Sequence, residues 1–187
     1  MRSKLRSLRS QFLFPTVCLA IAAANRRAPH AFRVVHFSVQ ADHVHLVVEA
    51  LDKRALSAGM RGLAVRIARH VNRLAFRRGA LWADRWHGRA LTTPRAVRHA
   101  IVYVLNNFRK HHPSNRASLD PFSSAPYFEH FAQFAGAPIH VAEHLVPRAL
   151  APPPVSPPTL PPETWLLRSG WLRHGPLSAF EKPRAAQ

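Results

Sequence analysis

The chain has 187 residues and one cysteine, and its 27 Lys and Arg residues against 9 Asp and Glu residues give a formal net charge of +18. This length suits one domain with a tail, and the lone Cys18 excludes an intrachain disulfide and favours a reducing compartment. The basic balance favours a polyanionic partner, nucleic acid before an anionic membrane, although an arginine-rich codon usage would also produce it.

The N-terminal segment allows two interpretations. Basic residues precede an apolar run from Phe12 to Ala24, which has the layout of a secretory signal but is too short to cross a bilayer as a helix. The same run predicts a core-facing helix that begins near Pro15 and ends at Asn25, before two arginines that suit the helix dipole. The basic body of the chain favours the helix. We therefore expect a cytoplasmic, nucleoid-associated protein that binds no membrane.

The most informative stretch is a predicted β-hairpin. Phe32 to Gln40 is rich in β-branched and aromatic residues, Ala41-Asp42 forms a tight turn, and His43 to Glu49 alternates as a second strand. Because alternate residues of a strand share a face, His43 and His45 are predicted to stand side by side. Two imidazoles on a rigid strand are good metal ligands. With 13 histidines in the chain, however, such a pair also arises by chance.

Two amphipathic helices are predicted after the hairpin. Asp52 to about Arg77 carries an apolar stripe with arginines on the opposite face, and Gly79 ends it. Leu81 to Leu91 is predicted as a loop that leads into a short strand. Thr93 then caps a helix from Pro94 to about His111. The apolar stripes comprise Leu56, Met60, Leu63, Ile67, Val71 and Leu74 in the first helix and Val97, Ile101, Leu105 and Phe108 in the second.

The order helix, strand, strand, helix, strand, helix predicts an α+β fold, a ferredoxin-like (split βαβ) antiparallel sheet with helices on one face. We divide the chain into a main domain (1-112), a connector (113-150), a Pro-rich linker (151-163) and a C-terminal tail with tryptophans (164-187). The linker contains PPPVSPPTLPP and predicts extended polyproline structure. The tail is expected to dock on the domain or to become ordered on nucleic acid.

The chain also offers a nucleophile. Tyr103 lies in the helix that begins at Pro94, and Asn107 stands one turn further along the same face. A tyrosine beside a divalent ion held by two imidazoles and an amide oxygen can attack a phosphodiester and store the bond energy as a phosphotyrosine. On spacing alone, a core tyrosine and an exposed asparagine are the simpler explanation.

Three motifs in order favour the chemical interpretation. They are the DHVHL box at residues 42-46, the Trp-x-x-Arg-Trp segment from Trp82 and the Tyr-x-x-x-Asn helix at Tyr103. With them, the stretch from Leu5 to His112 resembles the REP-associated tyrosine transposases of the HUH endonuclease superfamily. The segments DPFSSAPYF and TWLLRSGWLRHG resemble the tail of one branch of that family. Family members have a strand before the first helix. The resemblance implies that this chain lacks that first strand, which would expose unpaired sheet edges.

The resemblance implies a site and a reaction. His43 and His45 would bind Mg²⁺ or Mn²⁺, with Asn107 as the third ligand and Asn106 as its fallback, and imidazole ligands favour Mn²⁺. Tyr103 would form a 5′-phosphotyrosine link to single-stranded DNA and leave a free 3′-hydroxyl. The implied substrate is a REP-type DNA hairpin with a single-stranded flank. The implied protein is a monomer rather than a dimer.

DNA binding is also expected from the residues themselves. Basic side chains near the proposed site can hold phosphates, while Trp82 and Trp86 offer planes for base stacking or, alternatively, belong to the core. The basic residues are Arg85, Arg89, Arg95, Arg98, Arg109 and Lys110. Three hypotheses remain: a metal-dependent single-strand DNA endonuclease and strand transferase, a catalytically inactive or truncated nucleic-acid-binding remnant of the same fold, and an exported basic protein.

Overall fold

A computed structural model describes residues 7–108, 119–132 and 156–183. The main elements are helix α1 (Phe14–Arg27), strands β1 (Phe32–Val39) and β2 (Val44–Ala50), and helices α2 (Lys53–Leu74) and α3 (Pro94–Asn106). The later segments form a 3₁₀ turn at Ala125–Tyr127, the short helix α4 (Trp165–Arg168) and a second 3₁₀ turn at Gly170–His174. The fold is α+β, with an antiparallel hairpin packed against helices.

The helices begin where local sequence signals place them. Pro15 lies in the first turn of α1. The Asp52 carboxylate accepts a hydrogen bond from the N–H of Ala55 at 2.7 Å and caps α2, and the Thr93 hydroxyl accepts one from the N–H of Ala96 at 3.2 Å and caps α3. These caps satisfy N–H groups that a helix start leaves open. None of the described helices has the length and apolarity that a bilayer span requires.

The predicted hairpin is confirmed, but the strand predicted after Leu81 is wrong. β1 pairs with β2 from Phe32 opposite Ala50 to Val39 opposite Val44, and within the described residues these two strands make up the whole sheet. Leu81–Leu91 contains no strand. The start of this loop lies against α2, because the indole N–H of Trp82 donates to the carbonyl of Ala64 at 3.0 Å.

Helices lie on both faces of the hairpin, so the expectation of helices on one face is wrong. Phe37 and Val39 pack with α1 and α2 in one buried cluster. Val35 and Val47 pack in another cluster with α3 and with residues 164–183, the C-terminal segment. Both strands carry apolar residues on both faces, and each apolar face must be buried against another element. By strand alternation His45 shares the face of Val47, which is the face that α3 covers.

Distant parts of the chain cover the outer edge of β1. The side chain of Asn25 accepts from the N–H of Val34 at 2.7 Å, and the N–H of Leu160 donates to the Val34 carbonyl at 3.1 Å. Further along, the N–H of Val39 donates to the carbonyl of Phe122 at 2.8 Å. The expectation of an unpaired edge is therefore wrong for β1, where side chains and irregular backbone replace a neighbouring strand.

The outer edge of β2 is different, because it faces an open groove between α2 and α3. Val39 directs its N–H away from β2, so its partner Val44, and with it Leu46 and Val48, direct their backbone groups away from β1. Among the backbone–backbone hydrogen bonds between described residues, none reaches that edge. The groove has a volume of about 2270 Å³ and is lined by β2, α2, the loop after α2, α3 and part of the C-terminal segment.

The C-terminal segment completes the cluster on the α3 face. Trp171 is 1% exposed, and its indole N–H donates to the carbonyl of Leu167 at 3.0 Å. The carboxylate of Glu181 accepts two hydrogen bonds from the Arg98 guanidinium, at 2.6 and 2.9 Å. On the sheet side, Glu49 accepts from the N–H of Thr164 at 2.8 Å. The segment is therefore fastened to both α3 and the sheet.

Candidate metal and nucleophile site

His43 and His45 stand side by side at the start of β2. Their Nε2 atoms lie 3.1 Å apart, and the rings are nearly perpendicular, with centroids 4.7 Å apart. Two nitrogen ligands with bonds of about 2.1 Å that meet at a right angle on one ion are about 3.0 Å apart. The separation therefore fits two adjacent ligands of one ion. A hydrogen bond between two neutral imidazoles gives the same distance, so the geometry fits both arrangements.

Asp42 orients the first of the two imidazoles. Its Oδ1 lies 2.7 Å from Nδ1 of His43, and this hydrogen bond holds the pKa of the Asp42 carboxyl below its usual value. With the proton on Nδ1, the lone pair of His43 is on Nε2, which faces His45. A carboxylate behind a ligating histidine is a recurrent support of metal sites. The sequence interpretation placed Asp42 only in the turn, although its position directly before His43 was the available signal.

Tyr103 on α3 lies against the second imidazole. Its ring centroid is 4.9 Å from that of His45, with the rings at 79°. The tyrosine is half-buried and packs on the apolar cluster of the α3 face. The contact between α3 and β2 thus brings together His43, His45 and Tyr103, three of the four residues predicted for the site.

The two candidate amides lie at the end of α3. Asn107 follows the last helical residue and is 2% exposed. Asn106 donates to the carbonyls of Ser178 at 3.1 Å and Glu181 at 2.9 Å, while its Oδ1 is buried without a partner. Buried carbonyl oxygens without a donor are rare, and amide oxygens suit hard cations. The amide nitrogen of Asn106 is thus directed to the C-terminal backbone and not to the imidazoles.

No three His, Cys, Asp and Glu side chains converge as a metal site within residues 7–108, 119–132 and 156–183. The ligand set implied for this chain has only two side chains of those types, with an amide as the third donor. The structure brings together the two imidazoles of that set, and the Asp42 carboxylate, which is outside the set, supports one of them.

The groove beside the imidazoles is lined by several residues that were predicted to bind DNA, among them Arg85, Trp86, Arg89, Arg95 and Arg98. Arg85, Arg89 and Arg95 are exposed there. Trp86 is 42% exposed, and its ring lies close to Gly88, where an added Cβ would come within 3.1 Å of the indole. A planar side chain with cations around it can hold a base and its phosphates.

Arg98 and the other predicted DNA-binding residues have different surroundings. The Arg98 guanidinium is bound by Glu181 and by the carbonyls of Gly175 and Pro176, so it fastens the C-terminal segment. Trp82 packs on the α1–α2 cluster. Arg109 and Lys110 lie outside the described residues.

Comparison with protein-family models, with curated proteins and with solved structures finds no match for this chain. The geometry alone therefore defines the class of site: two converging imidazoles, a carboxylate that orients one of them, and a neighbouring tyrosine from another element. All four side chains line the basic groove.

Proposed function

We propose that this protein is a transposase-like, single-strand DNA endonuclease and strand transferase that acts on hairpin DNA of the REP type through Tyr103. One observation carries the proposal: the Tyr103 ring lies 4.9 Å from the ring of His45, whose Nε2 is 3.1 Å from that of His43. The resemblance to the REP-associated tyrosine transposases supplies the substrate class. It also supplies the proposed monomeric state and the cytoplasmic, nucleoid-associated location.

The finer architecture belongs to the same proposal. We assign β1 and β2 to a ferredoxin-like sheet whose hairpin carries the imidazoles, and α3 to the helix that carries the nucleophile. The residues from 151 to 163 are assigned as a Pro-rich linker to the C-terminal tail. Its described part runs beside β1, where the carbonyl of Pro158 accepts from the Asn25 side chain at 2.9 Å.

His43 and His45 would hold a divalent ion, Mg²⁺ or Mn²⁺, together with the amide oxygen of Asn107 or Asn106. When bound, such an ion polarises the scissile phosphate and stabilises the charge that develops on it. Asp42 holds His43 in the tautomer that leaves Nε2 free. Because an edge of the site is lined by Arg85, Arg89 and Arg95, phosphates on either side of the scissile bond have cationic partners.

Tyr103 would carry the covalent step. Its phenolic oxygen attacks the phosphorus, the bond from phosphorus to the 3′-oxygen breaks, the phenolic proton passes to solvent, and the 3′-oxygen takes up a proton from solvent. The products are a 5′-phosphotyrosine and a free 3′-hydroxyl. In strand transfer, a 3′-hydroxyl attacks the phosphotyrosine, a phosphodiester forms again and Tyr103 recovers its proton. Tyr103 is thus the nucleophile in cleavage and the leaving group in joining, where its bond to phosphorus breaks.

The test is a covalent adduct with a labelled REP-type hairpin that carries a single-stranded flank, detected by denaturing electrophoresis. The wild-type protein is expected to form the adduct in Mn²⁺ and not in EDTA, and Tyr103→Phe to form none. The chain has one other tyrosine, Tyr127, so Tyr127→Phe is the matched control and should keep the adduct. An adduct in Tyr103→Phe, or none in the wild-type protein with any hairpin of this class, contradicts the proposal.

A nucleic-acid-binding remnant without catalysis is the second candidate. The two-stranded sheet within the described residues favours it, as does the engagement of the Asn106 amide by two backbone carbonyls. Such a protein would bind hairpin DNA in a salt-sensitive manner, without cleavage. The His43→Ala substitution would leave that binding unchanged. A metal-dependent adduct in the wild-type protein excludes this candidate.

A further inference from the structure

The end of α2 carries an aromatic side chain in an unusual position. Phe76 is 97% exposed, and its φ is +50°. A bulky L-residue rarely adopts a positive φ, and a fully exposed phenyl ring contributes nothing to the core. Strained positions of this kind concentrate at functional sites.

The surrounding backbone explains why the chain turns here but not why it uses phenylalanine. The N–H of Arg77 donates to the carbonyl of Asn72 at 2.9 Å, and the N–H of Phe76 donates to the carbonyl of Arg73 at 3.4 Å. This is the Schellman pattern, in which the residue with positive φ is usually glycine. Glycine at position 76 would relieve the backbone and remove the exposed ring. Stability alone therefore favours glycine over the residue that is present.

The turn that presents Phe76 is held by side chains. The amide of Asn72 donates to the carbonyl of Gly79 at 2.8 Å, and the guanidinium of Arg77 donates to the carbonyl of Ala80 at 3.3 Å. These bonds close the chain after the helix into a tight loop. The ring is therefore presented from a defined turn, which lowers the entropy lost when it binds a partner.

The charge around Phe76 is of one sign. Residues 53–83 contain no Asp or Glu, and their cationic residues are Lys53, Arg54, Arg61, Arg66, Arg69, Arg73, Arg77 and Arg78. Arg73 and Arg78, which precede and follow Phe76 in the sequence, are both exposed. An exposed aromatic ring among arginines has the chemistry to stack on a nucleic-acid base while its neighbours hold phosphates.

Phe76 is placed where a bound DNA strand could contact both its ring and the imidazole pair. Two residues separate the end of β2 from the start of α2. Because α2 packs on the hairpin, the helix runs back toward His43. Its 22 residues span about 33 Å, whereas the 7 residues of β2 span about 23 Å. The end of α2 therefore extends beyond the end of β2 that carries His43.

We infer that Phe76 is a base-stacking contact for an unpaired base of hairpin DNA, with Arg73 and Arg78 as phosphate contacts beside it. The ligand is a single-stranded flank or loop, because the ring can stack only on a base that is open on one face. The inference rests on the DNA-binding part of the proposed function and is independent of cleavage by Tyr103.

The experiment measures hairpin affinity by fluorescence anisotropy in the Tyr103→Phe protein, so that no adduct forms. Phe76→Gly is expected to weaken binding about tenfold, the effect of losing one base–aromatic stack, and to melt at the same temperature or higher because its backbone strain is relieved. Phe76→Trp should restore the affinity. Leu51→Ala is the matched control and should bind like the parent, because Leu51 is 78% exposed just before the opposite end of α2.

The salt dependence separates stacking from charge. Affinity falls as salt rises, so the slope of log affinity against log salt concentration is negative. Arg78→Ala should reduce the magnitude of that slope by about 0.7 to 0.9, whereas Phe76→Gly should leave it unchanged. Unchanged hairpin affinity in Phe76→Gly, or an equal loss of affinity in Leu51→Ala, overturns the inference. If affinity depends on Phe76 but the protein with Tyr103 intact forms no adduct with the same hairpin, only the endonuclease proposal is contradicted, so the two proposals fail separately.

Discussion

The Nε2 atoms of His43 and His45 face each other at 3.1 Å on one face of β2. The strand register holds His45 in place, because His45 is opposite Ser38 in the part of the ladder that is regular from His36 to Val39. Asp42 binds the far side of the first ring. A preformed pair of this kind needs little rearrangement to bind an ion, and its affinity for metal can be measured without any DNA.

Metal binding should depend on both rings. We expect His45→Ala to lose most of its affinity for Mn²⁺, because one imidazole remains, and Asp42→Asn to lose about 10- to 100-fold, because the second ring nitrogen loses its anionic partner. Electron paramagnetic resonance of free Mn²⁺ measures both. His70→Ala, on the exposed face of α2, should bind as the wild type does. Equal affinity in wild-type protein and His45→Ala would mean that the imidazoles only hydrogen-bond to each other.

Acidification should destabilise the protein through His36. Burial, and secondarily the charge of His130, lowers the pKa of His36 from 6.5 to about 4, and the ring packs edge-on against Phe128 at 5.4 Å. Because the unfolded chain binds the proton first, this contribution to stability is present above pH 6.5 and is lost as the pH falls toward 4.

The loss should be at most about 1.4 kcal/mol per pH unit in that window. Urea unfolding of wild-type protein and His36→Gln at pH 7 and pH 5 measures it, since the variant lacks the titrating group. The difference between the two proteins should shrink on acidification. If it is the same at both pH values, His36 does not titrate as the structure indicates.

The buried carboxylate of Asp120 should contribute strongly to stability. Its side chain is 0% exposed and accepts two hydrogen bonds from Arg9, at 2.8 and 3.0 Å, and one from the N–H of Phe122 at 3.0 Å. Asp120→Asn removes the charge and should cost about 3 kcal/mol, because the Arg9 cation then lacks its partner. Urea unfolding measures the loss. Asp84→Asn, in an exposed loop, should change stability by less than about 0.5 kcal/mol.

Two tryptophans of the C-terminal segment should differ sharply in their effect on stability. Trp171 is 1% exposed, whereas Trp165 is 50% exposed and stacks under the Arg173 guanidinium at 4.8 Å. Trp171→Ala should lower the free energy of unfolding by about 3–5 kcal/mol because it leaves a large cavity. Trp165→Ala should cost about 1 kcal/mol, mainly the lost cation–π contact. Similar losses in the two variants would show that the segment is not part of the cooperative core.

Local chemistry was the part of the fold that could be predicted. Thr93 caps its helix as expected, because a cap depends on residues three positions apart. Asp52 was predicted as the first helical residue and is instead the cap of α2. The pairing of His43 with His45 followed from strand alternation alone. The approach of Tyr103 to His45 was expected from the family resemblance, which rests on three motifs in chain order, whereas spacing alone favoured an ordinary core tyrosine.

Contacts between residues far apart in the sequence could not be predicted from the local sequence pattern. The loop after Leu81 has strand-like composition, but the bond of Trp82 to α2 places it elsewhere. Nothing in the neighbourhood of Asn25 indicates that its side chain bonds to β1. Arg98 was expected to hold phosphates because it is basic and near the site, and only the folded chain shows that Glu181 occupies it. In each case the deciding partner is far away in the sequence.

The covering of β1 has a consequence for how the chain is made. The strand is complete only when Asn25, Phe122 and Leu160 have all reached it, and the last of these comes late in the chain. Contacts between such distant positions raise the contact order and slow folding. During synthesis, the first hairpin leaves the ribosome long before its edge can be closed. Until then it exposes a strand that another chain can pair with, so we expect the nascent protein to need a chaperone more than the finished one does.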